Sequence, residues 1–261
     1  MLRAKKEGQN AANIFVLFTD PLGVTDIGGT LAKHAKAGAK VQAVILWEYD
    51  SAVMKQIAKM SKILGIESKV LGIKRGEVQA DLPTKKRIVK MIREFKPDIA
   101  VTFDPEFAAN TTHGDHIATH QLMMEVLGLC YRSNFAPEQL KGRLETHIVR
   151  NVYYPFWGLK GRPDVVVDIT ETFELKLKAT LALTAQSESA GKFLKKLYQE
   201  NTLKAMLPVY DEVKTNAKKL GEAWQKERRK ATARFMGEQV DAPFGEPFRC
   251  VSPIRLDYLT T

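Results

Sequence analysis

Ile14-Phe15-Val16-Leu17-Phe18 is an unbroken run of β-branched, aliphatic and aromatic residues with no polar alternation. That is how a strand buried on both faces reads, and both-face burial calls for helices on either side. Working outward, the chain supplies them. A turn-rich stretch, Thr19 to Asp26, precedes a helix expected from about Ile27 to Ala37, capped by Thr25 or Asp26 and stopped by Gly38. Val41 to Leu46 reads as a second buried strand. Ser51 to Leu64 is a helix with Gly65 as its stop, and Ser68 to Leu71 a short third strand. Pro83 opens a helix ending near Phe95, Ile99 to Phe103 is a fourth strand, and Ile117 to Cys130 the helix after it. Strand and helix alternate four times, which predicts an α/β fold: a Rossmann-like, mostly parallel sheet with helices on both faces.

The second half is less regular. His147 to Tyr153 and Val165 to Asp168 read as strands, and Thr170 as a cap for a helix around Phe173–Leu183. Glu188 to Met236 is polar and helical in character, interrupted at Pro208, so extra C-terminal helices are expected, forming an insertion or extension at about 188–240 of a single domain spanning 1–261. Val213, Ala217, Leu220, Trp224, Ala231 and Phe235 recur at helical spacing and form one apolar stripe, read as core packing.

Composition narrows the classes. The chain has 261 residues, 44% of them hydrophobic, and a formal net charge of +10. No apolar run approaches the roughly 20 residues a bilayer requires, so no membrane span is expected. Met1 to Ala12 is polar and basic rather than secretory, and Cys130 and Cys250 stand alone without CxxC spacing. Both features favour a reducing, cytoplasmic setting. The basic excess gathers between Lys192 and Arg234, where an anionic partner could dock, but acidic residues are interspersed and no nucleic-acid motif accompanies it. A solvated helix face is the reading adopted, and a homo-oligomer is left open.

In parallel sheets, sites form where strands end and loops lead into helices. Two loops qualify, Thr19–Asp26 after the first strand and Asp104–His116 after the fourth. The second carries Thr111-Thr112-His113-Gly114-Asp115-His116. Two imidazoles three residues apart at a helix entry can face one cavity. One could bind a divalent metal as a neutral ligand, the other act as a general acid or stabilise an oxyanion. Asp115 could orient a histidine, and Asp104 adds a carboxylate at the strand end. His120 lies one turn beyond His116 and is read as a helix-surface position; His34 and His147 are read as packing or surface residues.

These segments resemble the LmbE/PIG-L type of metal-dependent N-deacetylases. The resemblance rests on Gly28-Gly29-Thr30-Leu31-Ala32-Lys33 with Gly38 and Val41, on Ile63-Leu64-Gly65-Ile66, and on Ile92 to Asp98 before the site strand. It continues through His113-Gly114-Asp115-His116, matching an H-x-D-H motif, Pro163 to Thr170 with Lys176-Leu177-Lys178-Ala179, and Gly245-Glu246-Pro247-Phe248-Arg249. It covers most of the chain except Glu188–Met236. The family implies a divalent metal, zinc or manganese, and a small-molecule substrate, an N-acyl amino sugar or related amide. It also implies catalytic roles for His113 and Asp115 and a metal-ligand role for His116. The family's first loop reads H-P-D-D, supplying two ligands and the general base. Here an ungapped count puts Thr19, Asp20, Pro21 and Leu22 there; one deletion aligns Asp20-Pro21 with His-Pro. Either way the base is missing, leaving Asp20 as a replacement ligand, with Asp26 and Thr19 as further pocket candidates. Oxygen ligands of that kind suit manganese or magnesium better than zinc.

The expectation is therefore an amidohydrolase-like protein with a degenerate metal site. The alternatives are a non-catalytic ligand-binding or regulatory member that keeps the sugar cleft, and, ranked last, an interaction protein using its basic segment.

Overall fold

A computed structural model describes residues 12–157 and 161–251. β1 (Ile14–Phe18) runs into α1 (Pro21–Asp26) and α2 (Gly28–Lys36), followed by β2 (Val41–Trp47), α3 (Ser51–Leu64), β3 (Glu67–Ile73) and α4 (Leu82–Phe95). Next come β4 (Ile99–Val101), α5 (Pro105–Asn110), α6 (Gly114–Leu129), α7 (Pro137–Lys141), β5 (Asn151–Pro155) and β6 (Val165–Asp168). The chain closes with α8 (Phe173–Ala182), α9 (Thr184–Leu197), α10 (Glu200–Met206), α11 (Tyr210–Val213), α12 (Ala217–Glu238) and β7 (Gly245–Val251).

The strands form one sheet in the order β3-β2-β1-β4-β5-β7-β6. The strands from β3 to β5 are parallel; β7 alone is antiparallel, to both β5 and β6. The expected Rossmann-like α/β fold with added C-terminal helices is what forms. β1 explains its own apolar run: Ile14, Val16 and Phe18 pack toward α2, α3 and α8, while Phe15 and Leu17 pack on the opposite face with α4 and α6. With helices on both faces neither row of side chains meets water.

Several boundaries differ from the sequence expectation for one shared reason. Thr19–Asp26 is largely a helix, because Asp20 caps it: its Oδ1 accepts from Leu22 N at 2.8 Å and Gly23 N at 3.3 Å, with Pro21 in the first turn. Asp104-Pro105 repeats the device and opens α5 inside the second loop. Asp50 rather than Ser51 caps α3, and Asp81 caps α4. A carboxylate accepting N–H groups of the first turn satisfies donors that a helix start leaves bare.

α9 and α12 pack closely, and the crossing depends on two glycines. A Cβ on Gly221 would lie 1.8 Å from the Ser187 carbonyl oxygen, and one on Gly191 1.8 Å from that of Ala217. The apolar stripe is only partly buried: Leu220 is in the core, with Val213 and Trp224 packed against it, but Phe235 is 60% exposed. The buried face of α12 instead includes Gln225 and Arg229. Among the described residues no helix is long and apolar enough to cross a membrane.

Candidate active site

Because β1, β2 and β4 run parallel, their carboxyl ends emerge together and bring Thr19, Trp47 and Phe103 to one edge of the sheet. Trp47 N donates to the Thr19 carbonyl at 3.0 Å, tying two of the ends directly. α6 starts above them. His113 is its N-cap and His116 lies in its first turn, so one turn of helix presents both imidazoles to the strand ends, their ring centroids 4.8 Å apart.

His116 sits in an aromatic box. Its ring stacks on Phe103 at 4.5 Å, Phe107 at 5.8 Å and Trp47 at 6.1 Å. Both ring nitrogens are buried without a hydrogen-bond partner among the described residues. Burial first, then the adjacent His113 and Arg75, push its pKa down to about 4 against the opposing pull of Asp115. His116 is therefore neutral at neutral pH, the form that binds metals or shares one N–H. Asp20 Oδ2 lies 3.9 Å from its Nε2. With the imidazole neutral this is a separation rather than an ion pair. Burial raises the Asp20 pKa, against hydrogen bonds from Leu22, Thr19 and Gly23, and nearby Asp26 raises it further.

The other expected residues are occupied elsewhere. The Asp115 carboxylate accepts from Trp47 Nε1 at 2.6 Å, Gly76 N at 2.7 Å and Val78 N at 3.3 Å, so it anchors the pocket wall and the loop after β3; its hydrogen bonds go to none of the histidines. Thr19 is fully buried and donates to Asp20 Oδ2 at 3.1 Å. Asp26 is gripped by Arg229 at 2.8 Å and Arg228 at 3.0 Å. Burial opposes its charge, but Arg229, Arg228 and Lys176 outweigh burial and hold Asp26 below the usual carboxylate range. Asp104 caps α5 and lies 3.4 Å from Arg249. His120 is half-buried rather than on the surface, with Nδ1 2.8 Å from the Phe103 carbonyl. His147 Nε2 lies 2.6 Å from the Pro97 carbonyl.

Four pocket residues carry no local sequence signal: Trp47, Phe107, Trp157 and Arg75. Arg75 lies over the Trp47 ring at 4.1 Å, and Trp157 packs on Phe107 at 4.4 Å. The strand-end rule alone would have drawn attention to Trp47, the last residue of β2.

The donor set decides what ion the pocket suits. His116 and Asp20 are close enough to share one cation, and both imidazole nitrogens are without a hydrogen-bond partner among the described residues. No group of three His, Cys, Asp or Glu side chains that could hold a metal occurs among the described residues. Leu22, next to the Asp20-Pro21 start of α1, packs against the core. A catalytic zinc takes three protein ligands and keeps one position open. These residues do not fit it.

Fold and site together define a Rossmann-like α/β protein with a histidine-bearing aromatic cluster at the carboxyl ends of a mostly parallel sheet. Residues 24–127 match the family model described as PIG-L: GlcNAc-PI de-N-acetylase. No curated protein matches the chain. Among solved structures it is similar to N,N'-diacetylchitobiose deacetylase from Pyrococcus horikoshii, at 20% identity and a TM-score of 0.67, covering 94% of this chain and 88% of that one. It is also similar to the conserved protein TT1542 from Thermus thermophilus, at 19% identity and a TM-score of 0.68, covering 95% and 97%. GalB, the 4-carboxy-2-hydroxymuconate hydratase from Pseudomonas putida, shares 16% identity with a TM-score of 0.65, covering 95% and 100%. At these identities the likeness is one of fold.

Proposed function

We propose that this chain is an LmbE-type protein whose strand-end pocket takes a small molecule, an N-acyl amino sugar or related amide, and holds it without zinc-driven hydrolysis. The observation that carries this reading is the donor set: His116 and Asp20 approach each other, and no third ligand or spare carboxylate joins them among the described residues. A general base beside the scissile amide contributes about 10²–10⁴-fold to rate, and Leu22 cannot act as one.

What remains suits binding. The half-buried rings of Phe107 and Trp157 can stack on the C–H face of a pyranose ring. His116, buried and neutral, can give one hydrogen bond to an acyl amide and accept another. His113 and Arg75, both exposed beside the cluster, can supply further donors. The substrate class follows from the family resemblance, and the fold relatives that include a diacetylchitobiose deacetylase support it.

A second reading keeps hydrolysis. It is favoured by the two unpartnered nitrogens of His116 with Asp20 3.9 Å away. A harder ion that retains several waters, manganese or magnesium, needs fewer protein ligands. One experiment separates the two. N-acetylglucosamine is titrated while tryptophan fluorescence is followed, and acetate release is assayed with zinc and with manganese added. The proposal expects a saturable change in fluorescence and acetate at the buffer background with either ion. Manganese-dependent release that His116→Gln abolishes would establish the second reading, and zinc-dependent release would overturn the donor-set argument.

A further inference from the structure

A partly open space lined by both charged and apolar side chains lies beside the His116 cluster. It is a cavity of about 40 Å³ bounded by Asp26, Trp157, Lys176, Arg228, Arg229 and Glu246. About 10–15 Å³ takes one water, so this volume holds a few waters or one small oxyanion. It shares a wall with the histidine pocket: Trp157 packs on Phe107 and Phe103 at 4.4 and 5.8 Å, and both rings stack on His116.

Three cations face two carboxylates there. Arg229 and Arg228 both reach Asp26 Oδ1, and Lys176 Nζ lies 2.7 Å from Glu246 Oε1. Arg229 also donates to Thr25 Oγ1 at 3.0 Å and to Gln225, and Lys176 donates to the Asp26 carbonyl at 2.6 Å. After these bonds the Nε atoms of Arg228 and Arg229 are buried with no hydrogen-bond partner among the described residues, and Arg229 is only 3% exposed. Asp20 adds a third carboxylate to the field at Arg229, but none of these groups occupies the two Nε–H donors. Buried guanidinium N–H groups are strong donors, and their preferred acceptors are carboxylate and phosphate oxygens. Burial pulls the Arg229 pKa down to about 10 even against Asp26, with Arg228 adding to the fall.

We propose that Arg228 and Arg229, carried on α12, form an oxyanion subsite, so that the ligand of the adjoining pocket bears a carboxylate or phosphate group. The subsite stands on its own geometry; its link to an N-acyl ligand rests on the reading of the pocket given above. It also assigns a task to the basic C-terminal segment, two of whose arginines turn inward.

Inorganic phosphate and acetate are titrated separately into the full chain at constant ionic strength, with the arginine Nε–H resonances followed by NMR. The titrations are repeated on Arg228→Gln, a half-exposed position that tolerates change. The expected result is a saturable shift of two Nε–H resonances and a Kd weakened about tenfold or more in Arg228→Gln. The tighter of the two anions tells phosphate from carboxylate. Unmoved resonances, or equal affinity in wild type and Arg228→Gln, overturn the subsite; if the variant does not fold, the wild-type resonances decide alone. A parallel titration compares N-acetylglucosamine with its phosphorylated form through tryptophan fluorescence. Sugar binding without any anion response removes the subsite and spares the pocket. Anion binding with no sugar response keeps the subsite and removes the pocket reading.

Discussion

Asp115 stands between two chemistries. Its place in H-x-D-H suggests a partner for an imidazole, but its carboxylate is consumed by Trp47, Gly76 and Val78. Asp115→Ala strands three buried or half-buried donors and should cost about 2–4 kcal/mol in urea unfolding, with a change in tryptophan emission. Asp115→Asn keeps an acceptor oxygen and should cost less than half of that. Equal stability of Asp115→Ala and wild type would remove the anchoring role. His116 gives the second residue-scale prediction. Its folded pKa, about 4, lies below the ordinary 6.5. The unfolded chain therefore takes up this proton first as pH falls, so the stability the neutral imidazole contributes is full above about 6.5 and drains between there and 4. In NMR titration its ring protons should hold still from pH 8 to about 5 while an exposed histidine titrates near 6.5. A midpoint above 6 would mean the imidazole is solvated or paired.

At the scale of elements, glycine does opposite things in two helices. Gly128, near the end of α6, has nothing within 4 Å of a Cβ, so Gly128→Ala should stabilise by up to about 1 kcal/mol. Gly221→Ala should destabilise by about 2 kcal/mol or more in spite of the same gain in helix propensity, because α9 must move away. Thermal unfolding of both variants checks the pair; two stabilised proteins would mean that the α9–α12 crossing is loose. The same contrast explains what the sequence makes legible. β1 and β2 are legible because burial on both faces writes itself into composition as a continuous apolar run. α1 is not, because its two small turn-type residues outweigh the Asp20-Pro21 start signal. α12 is legible as a helix, but periodicity misplaces its buried face. Arg229 is inside because Asp26, two hundred residues earlier, meets it, and hydrophobic periodicity cannot register a buried charge pair. Trp47 escapes notice for a similar reason, since its partner Asp115 is distant in sequence and close only in the fold.

Over the whole molecule, Glu246 ties the closing strand to the second helix. From β7 it accepts from Gly29 N at 2.9 Å and Thr30 N at 2.7 Å at the start of α2, where the helix dipole favours an anion, and it meets Lys176 of α8. It is 1% exposed. Glu246→Gln leaves Lys176 buried and unmatched and should cost about 3–5 kcal/mol, while adding Lys176→Met should recover part of the loss. A double-mutant cycle reads this coupling, and strict additivity would show that the two side chains act independently. The same architecture brings β1 and α6 together around His116, and the reading of the pocket turns on how many ligands they deliver. Zinc content per chain, measured on protein purified without chelator beside Thr19→His/Leu22→Asp, tests that most directly. The account predicts zinc well below one per chain in the native protein and a gain toward one in the double variant. A native protein carrying a full equivalent of tightly held zinc would contradict it.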